Sequence, residues 1–335
     1  MSKIKFIDLF CGIGGFHHAM EAASKKLKLN SECVFASDID KRCQHSYEQN
    51  FGLTPQSDIT VFDETQIPQH DILLAGFPCQ AFSIIGEMQG FSDTRGTLFF
   101  DVARILKAKK PKFFVLENVK QLVGHDKGRT LATIIKTCKD IGYDVQYKVL
   151  NALDFGLPQR RERIFIVGSL TKLVFDFEFD LNHIKKVSLS HILEKNVDQK
   201  YFASQHILSR RQQLVKREQL AHGRPTIWHE NKSGNISAYE YSCALRSGAS
   251  YNYLLVNGER RLTEREMLSL QGFPLKHKIV GSYSDLRKQT GNALPIPMAS
   301  EVVFRLISQN LNTRKSDETT KVAASVDSKV PLSTK

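Results

Sequence analysis

The feature that most restricts the fold is a run of four apolar residues, 72–75 (Ile-Leu-Leu-Ala), which leads directly into residues 76–83 (Gly-Phe-Pro-Cys-Gln-Ala-Phe-Ser). This pattern predicts that a buried parallel strand ends at a loop. Ligands of open α/β sheets bind along the edge where such strands end. Cys79 lies there between a proline that stiffens the turn and a loop rich in Gly and Ser, so it is a candidate nucleophile. A buried core cysteine is the alternative, and for one cysteine taken alone it is the commoner role.

The N-terminal residues show another strand that is followed by a loop. Residues 4–10 have the pattern of a strand, which breaks at 11–15 (Cys-Gly-Ile-Gly-Gly), and residues 16–29 have helical spacing. Gly12 and Gly14 allow a sharp turn and a close approach of the backbone to a ligand, as at a nucleotide site. His17 stands where the third glycine of a dinucleotide motif would be, so a pyrophosphate site and a nicotinamide oxidoreductase are disfavoured. An ordinary glycine turn between strand and helix is the alternative.

Two aspartates follow the next apolar run, residues 33–37. Asp38 lies at the tip of the predicted strand and about 20 residues past the glycines, where a carboxylate meets the ribose hydroxyls of a bound nucleotide. We therefore favour a ribose contact for Asp38. Asp40 fits equally well as a ligand contact and as the cap of a helix that begins at Lys41.

Charged residues also accompany the strands predicted over 112–116 and 164–167. Glu117 follows the first of these strands and shares the edge of the sheet with Cys79, although an exposed residue at a strand end is an equal alternative. Residues 159–163 (Gln-Arg-Arg-Glu-Arg) precede the second strand. Alternate residues of an extended segment face the same side, so Arg161 and Arg163 are expected to point together. The commoner role of such a run is a solvated charged face.

The composition indicates a globular protein with an anionic partner. The 335 residues are 41% hydrophobic, and they carry a formal charge of +12 with a pI near 9.3. Lys and Arg displace counterions from phosphates, so the charge favours nucleic acid, with a merely soluble basic surface as the alternative. Six cysteines without a C-x-x-C pair indicate neither a disulfide framework nor a metal site, and they fit a reducing cytoplasm. The sequence has no run of about 18 apolar residues, so no membrane span is expected.

Residues 183–224 concentrate the positive charge. They hold nine basic residues against three acidic ones, and the alternation of strands and helices stops between residues 169 and 260. A basic, irregular segment is suited to reading a DNA groove. A solvated helix, such as residues 208–220, is the alternative explanation of the charge. The basic residues are Lys185, Lys186, Lys195, Lys200, Arg210, Arg211, Lys216, Arg217 and Arg224, and the acidic ones are Glu194, Asp198 and Glu218.

Six sequence blocks, taken in order, resemble those of the DNA (cytosine-5) methyltransferases of bacterial restriction-modification systems. They are residues 8–15 (Asp-Leu-Phe-Cys-Gly-Ile-Gly-Gly), 76–83, 117–119 (Glu-Asn-Val), 159–163, 261–274 and 289–293 (Gln-Thr-Gly-Asn-Ala). The similarity spans nearly the whole chain up to residue 311. Six blocks in the family's order leave little room for coincidence, and they strongly disfavour a core role for Cys79.

The resemblance implies a reaction and a role for each site residue. Cys79 would add as a thiolate to C6 of a flipped-out cytosine, and S-adenosyl-L-methionine would supply a methyl group to C5. Glu117 would donate toward N3 and Arg163 would bind O2, while Arg161 would support the loop or the DNA backbone. The implied cofactor site has no metal. It comprises Asp38 and Ile39 near the ribose, Asp58 and Ile59 near the adenine, Phe10, Pro78 and Leu98 as walls, and Gly12, Gly14 and Asn292.

The resemblance also has three departures that bear on the site. One is Ile85, an apolar residue where the family has a serine, and it affects how the protein fills the gap left by a flipped base. Family members usually have Glu at position 38, so the shorter Asp38 weakens the ribose assignment. The family's Thr-Leu pair falls on residues 244–245, where the sequence has Ala-Leu. This difference also affects how the protein fills the gap that a flipped base leaves, and it does not affect the chemistry.

The predicted fold is α/β, with the doubly wound, mostly parallel sheet of the class I S-adenosylmethionine-dependent methyltransferases (Rossmann-like) and a smaller inserted target-recognition domain. The expected boundaries are 1–182 for the catalytic cofactor-binding domain, 183–283 for the target-recognition domain, 284–311 for a C-terminal helix that returns to the catalytic domain, and 312–335 for a disordered tail.

Double-stranded DNA is the expected partner, and the protein is expected to be a monomer in the bacterial cytoplasm. A cognate restriction endonuclease would act on the same site without a stable complex. Two alternatives keep the same fold. One is the tRNA-modifying branch of the superfamily, which the long basic segment disfavours. The other is a non-catalytic DNA-binding relative, which would not need Cys79, Glu117 and Arg163 together.

Overall fold

The computed structural model describes residues 3–78, 98–216 and 223–310 of the chain. Eleven strands and nine α-helices lie within them. The strands are β1 (Ile4–Leu9), β2 (Ser31–Ser37), β3 (Ile72–Ala75), β4 (Phe113–Val119), β5 (Asp144–Asn151), β6 (Gln159–Arg160), β7 (Glu162–Ser169), β8 (Ile227–Glu230), β9 (Ile236–Tyr239), β10 (Ser242–Cys243) and β11 (Leu254–Val256). The helices are α1 (Gly15–Leu27), α2 (Lys41–Phe51), α3 (Leu98–Lys109), α4 (Arg129–Ile141), α5 (Leu189–Ile192), α6 (Gln205–Leu214), α7 (Glu264–Leu270), α8 (Tyr283–Asn292) and α9 (residues 296–310). None of these helices is long and apolar enough to cross a membrane.

Six strands form the central sheet in the order β2-β1-β3-β4-β7-β5. Strand β1 pairs in parallel with β2 and β3, and β3 pairs in parallel with β4, whereas β7 runs antiparallel between β4 and β5. The chain moves from β1 outward to β2 and then returns across β1 to β3, so the winding reverses beside β1. The predicted doubly wound, mostly parallel sheet is therefore confirmed. A ligand is expected at the carboxyl ends of β1 and β3.

Apolar layers cover both faces of this sheet, because successive residues of a strand point to opposite sides. Phe6 and Leu74 belong to the layer that contains the buried faces of α1 and α9. Their neighbours Ile7 and Leu73 belong to the layer that contains α3 and α4. All four side chains are at most 1% exposed. Burial on both faces explains why these strands appear in the sequence as short apolar runs.

An antiparallel sheet of three strands, in the order β11-β8-β9, lies in the segment after residue 226. Strand β10 pairs in parallel with β6 and so connects this segment to the residues before β7. The prediction of an irregular segment is therefore wrong for residues 227–256. The turn at Asn231 shows the physical reason, because the Asn231 side chain accepts the N–H groups of Ser233 and Asn235 at 2.9 and 3.0 Å. Such turns separate very short strands and hide their period.

The basic segment is less free to bind DNA than its composition indicates. The alternative of a helix over 208–220 agrees only in part with the structure, in which α6 comprises Gln205–Leu214 and residues 217–220 lie outside the described residues. Arg211 is fully buried, and its Nη2 pairs with Glu230 at 2.9 Å. Arg210 also pairs with Glu230, at 2.7 Å, and Arg224 pairs with Glu240, at 3.1 Å. Acids that follow the segment therefore neutralise part of its charge.

Three histidines, His17, His18 and His277, pack around Phe51 at the end of α2. His17 stacks on the Phe51 ring with centroids 3.9 Å apart, and its Nδ1 lies 2.7 Å from the Tyr47 hydroxyl. Nδ1 of His277 lies 3.0 Å from Nε2 of His18. Burial is the main cause that lowers the pKa of His17 to about 4 and the pKa of His277 to about 3. Both side chains are therefore neutral in the folded protein at neutral pH.

We expect the free energy of unfolding to decrease as the pH falls from about 6.5 toward about 4. Histidines of the unfolded chain bind protons with a pKa near 6.5, whereas folded His17 and His277 stay neutral, so acid favours the unfolded chain. The loss at about pH 5.5 is about 1.4 kcal/mol for each histidine. Urea unfolding at about pH 7.5 and about pH 5.5 measures it. A His277→Gln variant should lose less stability between these pH values than a His45→Gln variant, whose changed side chain is exposed on α2. Equal losses in the two variants would contradict the prediction.

Candidate active site

A cleft of about 650 Å³ opens at the carboxyl edge of the central sheet. It lies between the loops that follow β1, β2 and β3, the end of β4, and the returning segment at residues 291–294. Ligands of open α/β sheets bind at this edge, beside the reversal of the winding. Eleven of the predicted site residues line the cleft. They are Phe10, Gly12, Asp38, Ile39, Asp58, Ile59, Pro78, Leu98, Glu117, Arg163 and Asn292.

The loop after β1 requires glycine for two different reasons. Gly12 has a φ of +53°, and its N–H donates to the Asp38 carboxylate at 2.8 Å. Gly14 has a φ of +85°, and a Cβ at this position would lie 2.1 Å from the Phe51 ring. Positive φ angles of this kind favour glycine over residues with a Cβ. Gly14 therefore allows α1 to begin against Phe51, and it does not itself line the cleft.

Asp38 fixes the glycine loop and faces the cleft. Its carboxylate accepts the N–H of Gly12 at 2.8 Å and the N–H of Asp40 at 2.9 Å. Burial raises the pKa of Asp38, whereas these two hydrogen bonds lower it. Asp40 borders the cleft, and its carboxylate accepts the N–H of Arg42 at 2.9 Å. The capping alternative for Asp40 is therefore confirmed.

Asp8, in strand β1, is a cleft residue to which the sequence patterns assign no role. It is 1% exposed, and neither carboxylate oxygen has a hydrogen-bond partner among the described residues. Burial, and then the charge of Asp38, raise the pKa of Asp8 well above its ordinary value. A buried carboxylate without partners is costly unless a donor or a cation reaches it. The sequence offers two signals, an aspartate between two apolar residues of a buried strand and its position at the start of the family block 8–15.

Glu117 and Arg163 form an ion pair inside the cleft. Nε of Arg163 lies 2.8 Å from Oε1 of Glu117, and the two side chains are only 13% and 10% exposed. Burial raises the pKa of Glu117, although the charges of Arg163 and Arg161 lower it. A carboxyl group with raised proton affinity can hold a proton for a ring nitrogen, while the guanidinium binds a neighbouring oxygen. The pair is therefore suited to a substrate ring that gains negative charge.

Asn118 anchors the chain just before the predicted nucleophile. Its Nδ2 donates to the Phe77 carbonyl at 2.8 Å, and its Oδ1 accepts the N–H of Val119 at 2.8 Å. Pro78, the next residue, lines the cleft. Cys79 and residues 80–83 of the same sequence block lie outside the described residues. The anchor ties the described part of that block to β4, the strand that carries Glu117.

Arg161 supports the walls of the cleft and does not line it. Its side chain is fully buried and donates to the carbonyl oxygens of Leu245, Gly291 and Ala293 at 2.7, 2.8 and 2.7 Å. Burial lowers the pKa of this guanidinium. Of its two predicted roles, support of a loop fits these contacts, because a guanidinium without exposed surface cannot contact a DNA backbone. We therefore describe Arg161 as a positioning residue and correct its assignment as a catalytic one.

The five cysteines within the described residues are poor nucleophiles. Burial raises the pKa of every one of them, and a thiol with a raised pKa is mostly protonated at neutral pH. They are Cys11, Cys33, Cys43, Cys138 and Cys243. Cys79 is therefore the remaining candidate for a thiolate among the six cysteines of the chain.

The family model described as C-5 cytosine-specific DNA methylase matches residues 4–308. The chain therefore belongs to this family, as the sequence blocks imply, and it is a DNA (cytosine-5) methyltransferase.

Two curated relatives cover nearly the same length as this chain. The chain is 52% identical over 296 residues to the type II methyltransferase M.NgoBI of Neisseria gonorrhoeae. This alignment covers 88% of this chain and 90% of the relative. It is 51% identical over 318 residues to the type II methyltransferase M.HaeII of Haemophilus aegyptius, with 94% and 96% covered. A crystal structure of a Spodoptera frugiperda DNMT2 mutant superposes with a TM-score of 0.69 over 91% of this chain and 100% of that chain, at 20% identity. At this low identity, the structural match shows the fold alone.

Proposed function

We propose that the protein transfers a methyl group from S-adenosyl-L-methionine to C5 of a flipped-out cytosine in a specific DNA sequence, through a covalent bond between Cys79 and C6. The ion pair of Glu117 and Arg163 carries this proposal. It holds a proton-binding carboxyl group and a guanidinium together in a cleft bounded by Pro78. The similarity to two type II methyltransferases supports a role in a restriction-modification system.

The residues of the cleft fit S-adenosyl-L-methionine. Asp8 offers a buried carboxylate that lacks a partner among the described residues, and this suits the ammonium group of the cofactor. Asp38 would accept hydrogen bonds from the ribose hydroxyls. When bound, the cofactor supplies an electrophilic methyl group on a sulfonium. The other residues proposed to hold it are Phe10, Gly12, Ile39, Asp58, Ile59, Pro78, Leu98 and Asn292, with Gly14 shaping the loop.

The proposed reaction begins with the Cys79 thiolate. C5 of cytosine is a weak nucleophile, and formation of the bond from sulfur to C6 makes it an enamine carbon, which is nucleophilic. Negative charge develops on N3 and O2 during this addition. Glu117 gives its proton to N3, and Arg163 binds O2. After C5 has gained the methyl group, it loses its proton to water, the bond between C5 and C6 becomes double again, and Cys79 leaves as a thiolate. N3 then returns its proton to Glu117, which restores the carboxyl group.

We propose residues 183–283 as the target-recognition domain and residues 284–311 as the helical return to the catalytic domain. The pairing of β6 with β10 and the three carbonyl contacts of Arg161 support a fixed connection between the two parts. A stacked base cannot enter the cleft, so the target cytosine must be flipped out. The monomeric state and a cognate endonuclease stay predictions. The predicted disordered tail, residues 312–335, lies outside the described residues.

A methylation assay tests the proposed function. The purified protein is incubated with methyl-labelled S-adenosyl-L-methionine and duplex DNA, and bisulfite sequencing locates the modified base. We expect 5-methylcytosine at one recurring sequence. The same assay with tRNA tests the alternative substrate, because the tRNA-modifying branch shares the thiolate chemistry. Label in tRNA and none in DNA would overturn the proposed substrate.

Asp38→Ala is expected to weaken the binding of S-adenosyl-L-methionine by about 1.5–3 kcal/mol, the range for a hydrogen bond to a charged group. The variant loses both the ribose contact and the bond that holds Gly12. Isothermal titration measures the dissociation constant. Asp63→Ala is the matched control, because the Asp63 carboxylate also accepts a backbone N–H, that of Thr65 at 2.8 Å, but does not line the cleft. An unchanged dissociation constant in a folded Asp38→Ala variant would remove Asp38 from the cofactor site.

A further inference from the structure

Two arginines and two tyrosines form a cluster that the proposed reaction does not use. Arg287 lies over the Tyr251 ring at 4.0 Å. Arg261 lies over the rings of Tyr251 and Tyr283 at 6.0 and 5.6 Å. The two rings are stacked, with centroids 6.1 Å apart and 25° between their planes. We call these four residues the arginine–tyrosine cluster.

The charge of the cluster is not neutralised by an ion pair within the part of the chain that the structure describes. Arg287 donates to the carbonyl groups of Ala249 and Ser250 at 2.8 and 3.0 Å. Arg261 donates to the carbonyl groups of Lys200 and Tyr201. Carbonyl groups orient a guanidinium without cancelling its charge. Both arginines therefore keep a net positive charge that a ligand can use.

Glu264 lies near the cluster, and among the described residues it forms no ion pair with either arginine. The carboxylate of Glu264 accepts a hydrogen bond from the Tyr201 hydroxyl. Tyr251 is 46% exposed, so solvent and ligands reach the cluster. A hydrogen bond from Ser284, and then the charges of Arg287 and Arg261, lower the pKa of Tyr251. The surroundings of this ring are thus positive.

The loop at residues 245–250 connects the cluster to the cleft. Buried Arg161 holds the carbonyl group of Leu245 at one end, and Arg287 holds those of Ala249 and Ser250 at the other. Ser247, in the middle of the loop, lines the cleft. A Cβ added at Gly291 would lie 2.3 Å from the Ser247 nitrogen, so the loop packs closely against α8. The cluster therefore has a fixed position at the edge of the cleft.

We infer that Arg261 and Arg287 bind the sugar–phosphate backbone of the DNA strand beside the flipped cytosine. The inference rests on the proposed function, because it assumes a DNA duplex over the cleft. A guanidinium that lies on an aromatic ring and donates to carbonyl groups is held in place, and its remaining N–H groups can bind the oxygens of a phosphate. The ring faces that hold the arginines are not free to stack on bases. The cluster thus positions the DNA, and other residues of the proposed target-recognition domain read its sequence.

The salt dependence of DNA binding tests this inference. Affinity is measured over a series of salt concentrations, for a duplex that the methylation assay identifies as a substrate and for one without the site. The slope of log K against log salt is negative. Arg261→Gln and Arg287→Gln should each make it less steep by about 0.9, the value for one phosphate contact. Each should weaken the binding of both duplexes by the same factor.

Arg305→Gln is the matched control. Arg305 lies over the Phe179 ring at 4.4 Å, as the cluster arginines lie over tyrosines, but it is paired with Asp176 at 3.2 Å. We expect its salt slope to equal that of the unchanged protein. Tyr251→Leu keeps both charges and removes the ring, so its affinity should fall about two- to fivefold without a change of slope. Tyr251→Phe should restore the affinity.

Three results would overturn the inference. The first is an unchanged salt slope in folded Arg261→Gln and Arg287→Gln variants. The second is an equal loss of steepness in Arg305→Gln, which would mean that only the total charge matters. The third is a loss confined to the substrate duplex, which would assign the arginines to base reading. A failure of the unchanged protein to bind or methylate any DNA would instead overturn the proposed function.

Discussion

Replacement of Cys79 by serine is expected to lower methyl transfer to DNA by at least about 10⁴-fold, the scale on which the loss of a catalytic nucleophile acts. A thiol ionises near neutral pH and a serine hydroxyl does not, so the variant has no group that adds to C6. Another cysteine cannot take over, because burial raises the pKa of all five described ones, including Cys11 and Cys43 in the cleft. Single-turnover incorporation of labelled methyl groups measures the effect.

Cys243→Ser is the control for this experiment. Cys243 lies in β10, is half-buried and does not line the cleft. Its replacement should leave methyl transfer within about twofold of the unchanged rate, because a small substitution outside the site has little effect on the stability of the fold. Activity that survives in Cys79→Ser, or that is lost in a folded Cys243→Ser variant, would contradict the assignment of the nucleophile.

Glu117→Gln is expected to slow methyl transfer by about 10²–10⁴-fold, the usual contribution of a positioned proton donor. Glutamine keeps the size of the side chain but cannot transfer a proton to N3 as the thiolate adds. The ion pair with Arg163 at 2.8 Å is lost at the same time. The guanidinium then loses the partner that orients it toward O2. Rapid-quench measurement at saturating DNA and cofactor isolates this step from binding.

Glu162→Gln is the matched control for Glu117. Glu162 belongs to β7, the strand that carries Arg163, but its carboxylate pairs with Lys120 at 2.9 Å outside the cleft. Loss of an exposed pair of this kind costs at most about 1 kcal/mol of stability and should not slow the reaction. A Glu117→Gln variant that reacts at the unchanged rate would remove Glu117 from the proposed proton transfer.

Much of the central domain could be predicted from the sequence, because its elements are determined locally. The buried strands are short apolar runs, and α2 begins at Lys41, as its aspartate cap predicts. The placement of Glu117 at the edge of the sheet also follows from local pattern. A strand that ends in a polar residue delivers it to the carboxyl edge, where all parallel strands of the sheet end.

The roles that the sequence did not reveal depend on contacts between distant residues. Arg161 is buried because it holds the carbonyl groups of residues 84 and 130 positions away, those of Leu245 and Gly291. Arg211 on α6 can be buried because its guanidinium forms an ion pair with Glu230, which lies on β8. Asp8 lines the cleft, and its carboxylate has no hydrogen-bond partner among the described residues. A local pattern of charge cannot distinguish these residues from solvated ones.

The central claim is that a covalent bond forms between Cys79 and C6 of the target cytosine. The most direct test uses a duplex with 5-fluorocytosine at the target position, in the presence of S-adenosyl-L-methionine. The reaction can end only when C5 loses a proton, and fluorine cannot leave in that way. We predict a complex of protein and DNA that survives denaturing electrophoresis, with peptide mass spectrometry placing the DNA on Cys79 and with no such complex in Cys79→Ser. An enzyme that methylates ordinary DNA but forms no stable complex with the fluorinated duplex, or a complex that maps to another cysteine, would contradict the claim.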